Sequence, residues 1–207
     1  MVKQVIHVNY QENFVGAVSF DTEAGLGAFE YAPEFISKGI ELSPIKMPLS
    51  KQIYTFPELG YETFKGLPGL LADSLPDDFG NEVLNAWVAA QGQSTDEITP
   101  LQRLQYTGKR GMGALEYSPA TQLKGLNASE EVEIASLVSI AQEILDSRKM
   151  FSATLQYQTD QDRDAMLSLL SVGMSAGGAR PKAVLAFNKD FTQVRSGQVN
   201  VPDGFTH

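Results

Sequence analysis

A chain of 207 residues is long enough for one large domain or two small ones with a buried core. Hydrophobic residues make up 43% and charged residues 20%, ordinary for a globular protein, while a net charge of −9 argues against a broad basic surface that grips nucleic acid directly. With no cysteine there are neither disulfides nor thiolate metal sites, and a zinc site or a Ser–His–Asp triad would have to use His7 or His207, the two histidines present.

His7 stands inside an apolar run and reads as an ordinary strand residue. The N-terminus lacks the long apolar stretch of a signal peptide, and no run approaches the roughly 20 apolar residues of a membrane span. The sequence therefore predicts a cytoplasmic protein with no membrane association.

The first third reads as β. "VKQVIHV", "FVGAVSF" and "AFEYAP" are short β-branched or aromatic runs separated by "QEN" and "DTEAGLG", followed by "PLS" and "IYTF" among prolines. Together they predict a small, twisted antiparallel sheet. From Gly66 the pattern turns helical: Phe79, Val83, Ala86, Trp87 and Ala90 share one stripe, with Gly92 as a stop. Asp77 and Asp78 sit where that helix begins. Two adjacent acids suggest a metal or a general base, but a capping role at exposed helix amides is the stronger reading.

"TPLQRLQYTG" predicts a short helix with Thr99 as N-cap, Pro100 in the first helical position and Gly108 as its end. "KRGMGALEYSP" returns to strand; Lys109 and Arg110 there are either an anion-binding corner or, more simply, two solvated cations. The stretch "SPATQLKGLNAS" reads as the boundary between two lobes.

A longer helix is predicted from about Ser129 to Arg148, with Asn127 and Glu130 at capping-box spacing and Val132, Ala135, Ser136, Ser139 and Ala141 among its small and apolar positions. "MFSATLQYQ" has extended character. "TDQDRDAMLSLLSVG" predicts a second helix capped by Thr159 or Asp160, with Met166, Leu169 and Leu170 as its stripe and Gly173 as its end.

Next comes "SVGMSAGGARPKAVLAF". Gly173 and Gly178 are five apart, but Ala179 follows where a Walker A lysine would stand, so that pattern fails. A helix end followed by a turn accounts for Gly173. The composition also suits an anion: Gly177, Gly178 and Ala179 leave backbone N–H groups unshielded, Arg180 and Lys182 add positive charge, Pro181 stiffens the turn and Ser175 places a hydroxyl at the mouth. Both readings stand on these residues alone.

"SAGGARPKAVLAF" resembles the glycine-rich loop of the HipA-type serine/threonine kinases, the toxins of bacterial toxin–antitoxin pairs. "AFEYAPEFI", "PLS", "LPGLLADSLPDDFGNEVLNAW" and "LQRLQYTGKRGMGALEYSP" resemble the family's N-terminal region in the right order. The resemblance implies an α+β fold. A small antiparallel β-rich N-terminal subdomain with short helices would occupy residues 1–119. Part of a kinase-like N-lobe, with two helices and the glycine-rich loop, would occupy 120–207.

By that resemblance Gly177, Gly178, Ala179, Arg180, Pro181 and Lys182 contact ATP phosphates. Ser175 matches the position that these kinases phosphorylate in themselves, a modification that switches the enzyme off. The loop departs from the family at Arg180 and Pro181, where other members carry a glutamine and an acid.

Phosphoryl transfer also needs a nucleotide-binding lysine, a catalytic aspartate and metal ligands. In the family these lie beyond the match to "PDGFTH". The expectation is therefore the N-terminal portion of a kinase that uses ATP and Mg²⁺, with no catalytic or metal residues of its own, inactive alone and holding no cofactor tightly. The implied partner is a helix-turn-helix antitoxin, so DNA contact would be indirect; the protein substrate is not legible. A reading from another class is a standalone, non-enzymatic regulator that binds and restrains a separate kinase.

Overall fold

The computed structural model describes residues 4–111, 113–121, 134–147, 166–170, 183–197 and 201–206. Its chain divides into two compact units, one of residues 1–75 and 98–121, the other of residues 76–97 and 122–207. The protein is α+β, as the sequence predicts.

The first unit is built on a five-stranded antiparallel sheet. Strands β1 (Gln4–Tyr10), β2 (Asn13–Asp21) and β3 (Leu26–Tyr31) form a meander, β4 (Ile53–Tyr54) adds to β3, and β5 (Leu115–Ser118) adds to β1, giving the order β4-β3-β2-β1-β5. Period-2 alternation sends Ile6 and Val8 of β1 inward and leaves Val5 and His7 outside. A bulge between Val8 and Asn9 pairs Val8 with Gly16 but Asn9 with Phe14, so Val15 is the extra residue and Phe14 stays on the outer face.

Three four-residue helices and one longer one accompany the sheet, and all but α2 bury side chains in its core: α1 (Pro33–Ile36), α2 (Tyr61–Phe64), α3 (Gly69–Ala72) and, after an excursion, α5 (Pro100–Thr107). Helices this short are not stable alone. Burial supplies what propensity cannot, since each large apolar side chain taken from water contributes about 1.5–3 kcal/mol. Phe35 of α1, Leu71 of α3, and Leu101 and Leu104 of α5 are all fully buried in one cluster with Phe29, Tyr31 and Tyr117 of the sheet. The Tyr31 hydroxyl donates to the Met47 carbonyl at 2.9 Å, tying down the loop before β4.

The excursion holds α4 (Asp78–Ala90), which belongs to the second unit. Its buried residues are Phe79, Gly80, Val83, Leu84, Trp87 and Val88. The larger Leu84 and Val88 take the inner face, in place of the Ala86 and Ala90 expected from spacing. Gly92, at φ 75°, ends the helix: its amide reaches the Ala89 carbonyl, and that of Gln93 reaches Val88.

The return into the first unit is cross-linked by amide side chains. Thr99 is the predicted N-cap of α5, and with Gln102 it forms a capping box. The Thr99 hydroxyl also donates to Gln4 Oε1 at 2.8 Å, while Gln4 Nε2 donates to Gln105 Oε1 at 2.8 Å.

Helix α6 (Ile134–Ser147) lies in the second unit, with Leu137, Ile140, Ala141 and Ile144 buried. Of the positions named from the sequence, Ala141 is buried as expected, whereas Ala135 and Ser139 are exposed and Leu137, Ile140 and Ile144 complete the buried stripe. This unit also carries a three-stranded antiparallel sheet, β7-β6-β8, from β6 (Leu185–Asn188), β7 (Val194–Ser196) and β8 (Phe205–Thr206). A turn at "PDG", with Gly204 at φ 91°, leads into β8 at Phe205.

Candidate functional site

Ser175, Gly177, Gly178, Ala179, Arg180, Pro181 and Lys182 lie outside the described residues, and the structure describes the frame on either side of them. Upstream, residues 166–170 are helical, with Met166, Leu169 and Leu170 buried as the spacing predicts. Downstream, Lys182 is followed three positions later by β6, the central strand of its sheet.

Strand β6 is held on both edges. Leu185, Ala186 and Phe187 pair with Ser196, Arg195 and Val194, and Phe187 and Asn188 pair with Thr206 and Phe205. The Gly197 amide donates to the Val184 carbonyl at 2.9 Å, extending the pairing toward Lys182. Asn188 fixes the hairpin at the far end: its Oδ1 accepts from the Thr192 and Gln193 amides and its Nδ2 donates to the Thr192 hydroxyl. The Arg195 guanidinium lies 5.2 Å from the centre of the Phe205 ring, a cation–π distance.

The other residues singled out in the sequence resolve into structural roles. Asp77 is the N-cap of α4, its carboxylate accepting from the Gly80 amide at 2.7 Å, and Asp78 occupies the first turn. His7 is exposed on the outer sheet face, edge-on to Phe14 with ring centres 5.0 Å apart. Among the described residues no three His, Asp or Glu side chains gather as a metal site would require.

Lys109 and Arg110 do not behave as a pair. Lys109 is exposed and lies 3.4 Å from the Glu116 carboxylate. Arg110 is 1% exposed, and burial lowers its guanidinium pKa to about 10. The solvated reading thus fails for Arg110. A charged residue beside Lys109 and Gly111 carries no local signal of burial. Burial likewise raises the Tyr31 phenol to about 12, helped by the nearby Tyr54 and Glu41, and pushes the Tyr117 phenol up.

No described helix is long and apolar enough to cross a membrane. Comparison with curated proteins finds no match. The family model of the HipA N-terminal domain matches residues 6–118, from β1 through β5 and more than half of the chain. The chain belongs to the HipA family and carries its N-terminal domain.

Proposed function

We propose that this chain is the N-terminal portion of a HipA-like serine/threonine protein kinase toxin, one that transfers the γ-phosphate of ATP to a protein serine. The observation that carries the reading is the match of residues 6–118 to the HipA N-terminal domain. The order of the following sequence supports it, because a glycine-rich, cationic segment runs directly into the central strand β6. Gly177, Gly178, Ala179, Arg180, Pro181 and Lys182 would hold the ATP phosphates through backbone amides and two cations. Mg²⁺ would come with the nucleotide, on ligands contributed from farther along the polypeptide.

Ser175 is the proposed self-phosphorylation site. A phosphoserine there brings nearly two negative charges beside a segment suited to phosphates, and so competes with the nucleotide. The proposed partner is a helix-turn-helix antitoxin in the cytoplasm. DNA contact through that partner suits a chain whose own net charge is −9.

The experiment is phosphate transfer from γ-labelled ATP with Mg²⁺, using the polypeptide extended by the sequence its gene encodes past codon 207. Label on Ser175, lost in Ser175→Ala, is the expected outcome, with none on the 207-residue chain. Stoichiometric self-labelling of the 207-residue chain would refute the assignment of catalysis to later residues. An extended protein without transfer activity would refute the kinase reading.

A further inference from the structure

The turn that leads into β8 carries the chain's one Asp-Gly pair, Asp203–Gly204, and Asn-Gly occurs nowhere in the sequence. Gly204 stands at φ 91°, in the turn position where type II turns take a positive φ. The Phe205 amide closes the turn on the Pro202 carbonyl at 3.3 Å. The residue that makes this turn easy also leaves its backbone open to the neighbouring carboxyl group.

Asp203 and Gly204 are both exposed, so water has access to the pair. A Cβ built on Gly204 would meet nothing within 4 Å, which shows that no other part of the protein crowds the site. Nor is the Gly204 amide engaged: it has no hydrogen-bond partner among the described residues. The Gly204 nitrogen and the Asp203 Cγ stand at the two ends of a short run of bonds, and joining them closes a small, unstrained imide ring.

We propose that Asp203–Gly204 is a site of spontaneous isoaspartate formation that loosens β8. The Gly204 nitrogen attacks Cγ of the protonated Asp203 carboxyl group; the N–Cγ bond forms and the Cγ–OH bond breaks. The hydroxyl leaves with the amide proton as water, and a succinimide remains. Water then adds back at either ring carbonyl. Opening at the side-chain carbonyl restores aspartate, whereas opening at the main-chain carbonyl leaves the backbone running through Cβ and Cγ, with the carboxylate on Cα. Mass and charge are unchanged, and no oxidant or cofactor takes part. This chemistry does not depend on kinase activity.

The product lengthens the backbone by one atom inside the turn, between the Pro202 carbonyl and the Phe205 amide that close it. Strand β8 has little else to hold it. Its two residues pair with Phe187 and Asn188 of β6, and the Phe205 ring lies 5.2 Å from the Arg195 guanidinium. A shifted β8 leaves β6 paired with β7 on its other edge alone. The modification thus acts on the strand that follows the candidate phosphate segment.

The test ages the folded 207-residue chain at neutral pH and physiological temperature, then digests it with trypsin, which releases Ser196–His207 after Arg195. With age this peptide should split into two chromatographic species of equal mass, the new one accepting a labelled methyl group from an isoaspartyl methyltransferase. Asp203→Glu keeps the charge but would need a ring one atom larger, and should lose the new species. Asp203→Asn should gain it faster, with release of ammonia. Hydrogen exchange in β6 and β8 should quicken in the aged protein. A single unlabelled species from the aged chain overturns the proposal, as does a second species that forms only in urea or persists in Asp203→Glu. Unchanged exchange in the isoaspartyl form overturns the loosening of β8.

Discussion

The Asp77 carboxylate accepts a hydrogen bond from the Gly80 amide at 2.7 Å, and this contact gives the Asp77–Asp78 pair its role. The first four amides of a helix have no partner within it, and a short acid at the N-cap reaches one of them while favouring the positive end of the helix dipole. Asp77→Ala should therefore lower the unfolding free energy by about 1 kcal/mol, whereas Asp77→Asn, which keeps the acceptor, should cost a fraction of that. Urea denaturation of both variants measures the difference. Equal losses would mean that the charge, rather than the capping oxygen, is what matters.

The β1–β2 hairpin turns through Gln11 and Glu12 at φ 46° and 64°, since Tyr10 pairs directly with Asn13. A two-residue loop with positive φ at both central positions has the form that Asn-Gly supplies at least cost. Replacing the pair by Asn-Gly should stabilise the protein by about 1 kcal/mol. The turn is otherwise well held: Asn13 Nδ2 donates to the Tyr10 and Gln11 carbonyls, and Lys38 Nζ donates to Asn13 Oδ1. A rise in thermal midpoint is the expected reading.

Gly66 and Gly39 separate backbone strain from collision. Both have positive φ, 76° and 67°, but a Cβ on Gly66 would lie 2.0 Å from the Gly25 carbonyl oxygen, whereas one on Gly39 meets nothing within 4 Å. Gly39→Ala should cost about 1 kcal/mol for its left-handed backbone alone. Gly66→Ala must also displace the strand entry where the Gly27 amide donates to the Gly66 carbonyl at 2.8 Å, and should cost about 3 kcal/mol or more. Equilibrium unfolding of the two variants side by side tests the contrast.

Alkali should unfold the first unit through its buried phenols. Tyr31 is raised to about 12 mainly by burial, against about 10 in the unfolded chain. Below pH 10 it is protonated in both states and its contribution to stability is complete. As pH rises from 10 to 12 the unfolded state loses its proton first, so stability falls by at most about 1.4 kcal/mol per pH unit from this residue. Tyr31→Phe should flatten that fall while costing about 1 kcal/mol at neutral pH, where the Met47 carbonyl loses its donor. Unfolding curves between pH 8 and 12 check both effects.

Much of the fold is legible in the sequence because local chemistry determines it. Thr99, Pro100 and Gly108 each carry a terminal signal of α5, and all three act as read. The alternation in "VIHV" orients β1 by period alone. What is not legible depends on residues distant in the chain. Nothing in the spacing of 76–97 marks it as an excursion into a second unit, because an amphipathic helix does not say which core receives it. Arg110 looks solvated in the sequence because a charge beside a glycine carries no burial signal, yet it is 1% exposed.

The candidate phosphate segment is legible as composition, since glycines and cations advertise an anion site. Its pocket is not, because a phosphate cradle is made by elements that converge from elsewhere. The family match rests on residues 6–118 and the segment lies beyond them.

The central claim, that Gly177 to Lys182 form part of a nucleotide site completed by later residues, is tested most directly by calorimetry of ATP with Mg²⁺ on two lengths of protein. In the 207-residue chain, exposed charge contacts contribute about 0–1 kcal/mol each, less than the roughly 1–2 kcal/mol per residue needed to order a glycine-rich segment. Binding should be about millimolar or weaker there, tighten greatly in the extended polypeptide, and weaken again in its Lys182→Ala variant. Micromolar binding by the 207-residue chain, unchanged by Lys182→Ala, would contradict the account.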